Sequence, residues 1–353
     1  MSEPFPPEVV ERFRTTDRTA YWEQRIFVLS PFGTLATAVL IFAIFASSYL
    51  LAASLDGDTL LDRNGQLSLS HASWLALVLS ILLTTILAVQ RAVRLWQRND
   101  TFALARALRG GLPQAAELGV LSPLQAHLGF ANVIGLVIAA GVDYLLYFWH
   151  PGLGGLAARI WFAAVTALLV LTFTRGVELT RAGSKSMVSL IDQELIVDLL
   201  RTDELTVFGR NAARFALIWF TVSAAACLLF VSRDVTMFTI ALLAGCLGMG
   251  FGTFVLMMER VHQKILRVKH DELGRLRGQI EAVRDAAAGD ATAATRLQGL
   301  LAYEARIMAA PEWPFDQTTL VRVCASALIL TVPWFGQAVA AYVVDHASRI
   351  AGP

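Results

Sequence analysis

Charge is what this chain has least of. Only 16% of its 353 residues are Asp, Glu, Lys or Arg, against 56% hydrophobic and a mean hydropathy of +0.58. A soluble domain carries about a quarter charged residues, so the deficit excludes an ordinary water-soluble globule and points to a membrane protein. The charge that remains nearly cancels, at net +1, and gives no electrostatic footprint for nucleic acid. Cysteine is scarce as well. Cys227, Cys246 and Cys324 each sit inside an apolar run without C-x-x-C spacing, and read as small buried hydrophobes rather than a disulfide or metal set. Lysine occurs only at 185, 264 and 269, so no apolar run offers an amine for a retinal Schiff base. There is no H-E-x-x-H, P-loop or G-x-S-x-G, and the histidines are scattered without ligand spacing. The expectation is a protein that is not an enzyme and uses no cofactor and no metal.

Long apolar runs are abundant. A bilayer core takes about 20 residues of helix. Seven stretches meet or approach that length: 32–54, 72–89, 129–149, 157–174, 215–231, 235–258 and 320–344. The connections sort the basic residues by side. Arg12, Arg14, Arg18 and Arg25 precede the first run, and further clusters follow the second (Arg91 to Arg109), the fourth (Arg175 to Arg214) and the sixth (Arg260 to Arg306). Only Arg63, Arg159, Arg233 and Arg349 fall on the other side. Because basic loops stay on the cytoplasmic face, this predicts an all-α integral membrane protein of seven spans, N-terminus inside, in the cell inner membrane. No short apolar core with a small-residue cleavage site suggests a cleavable leader.

The basic side is structured. After the sixth run the sequence continues helically through Val261, Ile265 and Val268, then Leu273, Leu276, Ile280 and Val283. Residues 259–288 as one helix project about 45 Å. Gly289 and Asp290 mark a stop and restart, Thr292 offers a cap, and Leu297, Leu300, Leu301 and Ile307 resume the pattern. The segment 259–310 therefore reads as a cytoplasmic helical hairpin, closed on itself or packed on neighbouring chains. Residues 186–210 read as an amphipathic helix, and 90–128 as two short helices around a "GGLP" break, so that 1–31 and all three inner loops build a helical cytoplasmic layer.

"PEWPFD" follows the hairpin. Pro311 and Pro314 cannot continue a helix and push the residues before them out of it. Asp316 suits the N-cap of the last span, and Trp313 suits the headgroup level. Residues 311–316 read as an elbow joining the hairpin to span seven, at 317–353. This motif, with "LTVFGRNAARFALIW" at 205–219, resembles a set of uncharacterised bacterial multi-pass membrane proteins, and the resemblance implies an architecture without an activity. The plan of seven spans, N-terminus inside, with a last span entered from an inner anchor is also similar in topology to the insect odorant-receptor channels, which implies assembly of subunits around their seventh helices.

Ionisable and conformationally special residues inside the spans are the functional candidates. Asp143 in span three and Arg159 at the start of span four are placed to pair, as a structural ion pair or in permeation. Gly248 and Gly252 have G-x-x-x-G spacing in span six, for close packing or bending. Pro333 and Gln337 near the middle of span seven suit a gating hinge, or a buried kink satisfied by its neighbours. The sum is a homo-oligomeric channel or pore-like protein, helices six and seven lining or gating the pathway and the hairpin mediating assembly. The alternative is a non-conducting scaffold or sensor that binds a cytoplasmic protein through the hairpin. The partners expected are the lipid bilayer and further copies of the chain.

Overall fold

The computed structural model describes residues 22–57, 70–100, 128–149, 154–228, 237–285 and 290–315, with scattered positions at 103–108 and 318–328. Eight α-helices are described: α1 (Trp22–Leu29), α2 (Thr34–Leu55), α3 (His71–Asn99), α4 (Leu128–Trp149), α5 (Leu156–Glu194), α6 (Thr206–Cys227), α7 (Met237–Arg284) and α8 (Ala291–Ala309). A single 3-10 turn, Thr202–Leu205, leads into α6. Among the described residues there is no strand; one isolated bridge pairs Leu108 with Leu195. Three helices are long and apolar enough to cross a bilayer, Thr34–Leu55, His71–Trp96 and Leu156–Ser189, and Leu128–Tyr144 is a shorter apolar helix. The chain is all-helical, with several helices fit for a membrane.

These helices are apolar on every side. In α2, Ala38, Ile41, Ala52 and Ala53 are buried while Leu35, Leu51 and Leu55 stay exposed. α4 likewise exposes Phe130, Val133 and Val137. A helix with one face on protein and an equally apolar face outward has lipid as its natural second surface.

Two large cores stand out among the described residues, with a smaller cluster of Val78, Leu82 and Ala226 between α3 and α6. One joins α2, α3 and α5 around Leu83, Phe162 and Tyr49, where Tyr49 meets the Trp161 ring edge-on at 5.1 Å. Asp56, just past α2, fixes its outer end: the carboxylate accepts from the backbone N–H groups of Ala157 (3.1 Å) and Ala158 (2.8 Å). These are free donors in the first turn of α5, so a residue of one helix caps another about a hundred positions away. Gly155 leaves room for it, since a Cβ there would lie 2.3 Å from the Asp56 carboxyl carbon. The other core gathers α5, α6, α7 and α8 around Ile191, Phe220, Ile265 and Ile307, each fully buried. Leu104, Ala107 and Leu108 join it from the segment after α3.

This second core is the structured layer expected from the sequence, built differently in detail. Residues 186–210 do not form a separate amphipathic helix. The fourth apolar run continues unbroken to Glu194 as a 39-residue α5, and α6 already begins at Thr206. After the second run α3 runs on to Asn99, Ala103, Leu104 and Ala107 are helical again, and 109–127, with the "GGLP" break, lie outside the described residues. Asp100 then pairs with Arg214, whose guanidinium also lies 5.5 Å from the Trp96 ring centroid. The reason is common to both: an apolar span and an amphipathic extension share one helical period, and nothing breaks the backbone between them. At the hairpin tip the cap is Asp290, which accepts from the Thr292 N–H at 2.9 Å, rather than Thr292 itself. Gly289 lies outside the described residues.

The helix α1 is tied to the bundle by a buried ion pair, Glu23 to Arg175 at 2.7 Å. Burial raises the Glu23 pKa above its ordinary 4.5, outweighing its backbone hydrogen bond and the opposing pull of Arg175 and Arg94. The folded chain therefore holds this proton more tightly than the unfolded chain. Its stabilising effect is complete below the ordinary value and is lost as pH rises through the folded-state value. In thermal unfolding across a pH series, wild type minus Glu23→Gln should show stability falling with rising pH above 4.5; a rising difference contradicts the assignment.

Candidate functional site

The elbow after α8 is where contacts from α6 and α7 meet. The helix stops at Ala309, and Ala310 is extended (φ −60°, ψ 130°), as a residue before Pro311 must be. Stopping leaves the last carbonyls of α8 without helical partners. The Lys269 ammonium on α7 supplies them: Nζ donates to the Met308 carbonyl (2.9 Å), the Ala310 carbonyl (3.1 Å) and Glu312 Oε1 (3.1 Å). All three of its protons are used, and the residue is buried. Positive charge at a helix C-terminus also complements the helix dipole.

Two turns earlier on α7, His262 holds the next residues. Its Nδ1–H donates to the Glu312 carbonyl at 2.7 Å, and its ring stacks on Trp313 with centroids 3.9 Å apart and planes 4° from parallel. The seven-residue spacing of His262 and Lys269 places both on one side of α7. Between these polar anchors lies Ile265, fully buried.

The far side of the elbow rests on α6. A Cβ on Gly209 would stand 2.8 Å from the Pro314 carbonyl oxygen and 3.0 Å from Phe315 Cβ, so only glycine lets the two backbones approach this closely. Phe315 completes the contact, 5.8 Å from the Phe254 ring and 5.5 Å from Trp313. "LTVFGRNAARF" and "PEWPFD", about a hundred residues apart, thus lie against each other. Pro311, Trp313 and Pro314 are the elbow; Asp316 lies outside the described residues, as do Pro333, Gln337 and most of the last apolar run.

The other candidates are placed separately. In α7 the glycine that packs is Gly250, not the Gly248/Gly252 pair. A Cβ on Gly250 would meet Phe220 at 2.7 Å and Trp219 at 3.1 Å, whereas positions 248 and 252 have no atom within 4 Å among the described residues. The G-x-x-x-G face is turned away from α6. Asp143 and Arg159 form no ion pair: Asp143 Oδ1 is buried without a hydrogen-bond partner, and Arg159 Nε donates to the Gly154 carbonyl at 3.1 Å. Asp143 lies in the last turns of α4 and Arg159 in the first turn of α5. Sequence reasoning missed Lys269, His262, Gly209 and Gly250. The signal for the first two was their i, i+7 spacing beside an apolar stripe.

Among the described residues no three His, Cys, Asp or Glu gather as a metal site. The elbow offers no nucleophile with a base; its chemistry is mechanical attachment. No protein-family model matches the chain, and neither a curated protein nor a solved structure does.

Removing the Lys269 ammonium strands two carbonyls. Lys269→Met should cost about 1.5–3 kcal/mol, the range for hydrogen bonds to a charged group, read by thermal unfolding in detergent. Gly209→Ala and Trp313→Ala should each loosen the same joint. Their combined destabilisation is expected to fall short of the sum, and strict additivity would show the two contacts to be independent. Gly250→Leu should destabilise by about 1–3 kcal/mol through overpacking against Phe220, while Gly248→Leu leaves the unfolding midpoint unchanged.

Proposed function

We propose that the chain is a multi-pass protein of the cell inner membrane, crossing seven times with its N-terminus inside, and that it assembles into a homo-oligomeric channel or pore-like complex. In this reading α7 and the helix after the elbow line or gate the pathway, and the hairpin of α7 and α8 assembles and couples the subunits. The observation that carries it is the double attachment of the elbow. The segment entering the last apolar run is held by Lys269 and His262 of α7 and pressed on Gly209 of α6. Movement of the charged arm then reaches the last helix without slack, which is what opening and closing a pathway requires.

Two further features support assembly. Among the described residues no atom lies within 4 Å of a Cβ placed on Gly248 or Gly252 of α7, and small residues of this kind let a second helix approach closely. In the hairpin Val261, Ile265, Leu276 and Ile307 are fully buried, while Leu273, Leu297 and Leu300 remain half-covered and Leu301 exposed. That stripe is wider than one helix pair covers. The same stripe favours a second reading, a non-conducting scaffold that binds another protein through the hairpin.

Reconstituted full-length protein should pass ions or small solutes across liposomes, and Gly252→Trp, which fills open space, should abolish the flux while leaving the fold intact. Absence of flux over a range of ions, pH and membrane tension, from protein that is folded and oligomeric, refutes the channel and leaves the scaffold.

A further inference from the structure

The short helix α1 shows two sides of opposite character. Glu23 and Phe27, four residues apart, point into the bundle: Glu23 pairs with Arg175 of α5, and Phe27 joins the core of α2, α3 and α5. Trp22, Ile26 and Leu29, at i, i+4 and i+7, form a separate stripe, and all three are exposed, Leu29 to 80%. A helix of eight residues does not hold its shape alone, so the inward contacts are what form α1. They leave an apolar stripe facing outward.

The stripe is held in that direction. The Thr37 hydroxyl of α2 lies 2.7 Å from Ser30 Oγ and 2.9 Å from the Gly33 carbonyl, and the Phe32 N–H donates to Ser30 Oγ at 3.3 Å, so the turn from α1 into α2 is bonded from both helices. The height of α1 is fixed as well. Asp56 holds the far end of α2 at the start of α5, which places α1 at the opposite, basic end. Arg175, the partner of Glu23, is the first charged residue of α5 after Arg159, and α3, on which α1 also packs, has its first at Arg91. α1 therefore stands where the apolar runs of α3 and α5 give way to charge. Along the chain its stripe is continued by Phe32, Leu35 and Val39, all exposed, the last two on the outward side of α2. An apolar stripe at that height, with a tryptophan in it, matches the boundary between headgroups and acyl chains, where indole rings concentrate.

On the membrane reading above, and whether or not the protein conducts, we infer that α1 is an interfacial anchor: it lies on the leaflet at the basic end, with Trp22, Ile26, Leu29 and Phe32 dipped into the boundary between headgroups and acyl chains. The partner is the lipid surface itself, not a second protein. Because α1 is bonded to α2 through Ser30 and to α5 through Glu23, the depth of this stripe in the leaflet sets the height of both helices.

The test uses the full-length protein in phosphatidylcholine vesicles whose acyl chains carry bromine either near the carbonyl end or near the methyl end, with iodide as the quencher in water. The readout is the Trp22 fluorescence, taken as wild type minus Trp22→Phe. Bromine near the carbonyl end should quench it most, bromine near the methyl end less, and iodide least. Ile26→Asp with Leu29→Asp, both at exposed positions, should lose the bromine quenching while the helical circular dichroism is retained; quenching that persists in this variant overturns the stripe as the anchor. Quenching by iodide alone puts α1 in water, quenching by neither puts it under protein, and stronger quenching from the methyl end puts it in the bilayer core; each overturns the anchor. The tryptophans that remain in Trp22→Phe separate this failure from that of the membrane reading. If bromine quenches them but not Trp22, only the anchor falls, whereas bromine quenching of none of them removes the membrane reading with it.

Discussion

One ammonium group closes the charged layer. Proline residues at 311 and 314 force α8 to end, and an ending helix exposes carbonyls that nothing in its own sequence can satisfy. Lys269 supplies the protons from another helix, and in doing so it dictates where the chain turns back. His262 and Gly209 follow from that placement: once the turn is pinned on α7, Trp313 falls over the imidazole and Pro314 comes down on α6. A buried cation is costly unless every proton is used, and here all three are. The arrangement is therefore all or none. Loss of any one partner weakens the reason for the others.

The same economy recurs at the opposite end. Asp56 caps α5 from the end of α2, so both ends of the bundle are fixed by polar groups that serve a helix other than their own. Between them the contacts are apolar and without strong direction, apart from individual bonds such as Trp161 to Ser48 and Trp74 to the Leu228 carbonyl. For helices that are apolar on every side this division is expected. Burying apolar surface cannot choose between protein and hydrocarbon, whereas an unsatisfied N–H or C=O has only protein to turn to.

Much of the helical class was legible in the sequence, because apolar runs of this length have no other stable form in a membrane. The hairpin and the elbow were legible too, from a heptad-like stripe and two prolines. Boundaries were not. The apolar runs ending near 174 and 89 continue as single helices into the charged layer, since helical periodicity is the same in an apolar run and in its amphipathic extension. Which glycine packs was also invisible: Gly248, Gly250 and Gly252 differ only in rotation about α7, and rotation is set by the partner helix. Asp143 and Arg159 have complementary charge, yet they form no ion pair, and Arg159 donates to the Gly154 carbonyl.

The helix α7 is 48 residues without interruption, and the elbow grips it between its ends rather than at either one. Measured from Ile265, about 42 Å of the rod lies toward Met237 and about 29 Å toward Arg284. A grip at that point makes the helix a seesaw. A tilt of about 5° displaces its two ends in opposite directions by roughly 4 and 2.5 Å, given those arm lengths. Pressure on the charged arm would thus be returned, inverted and somewhat enlarged, at the apolar end.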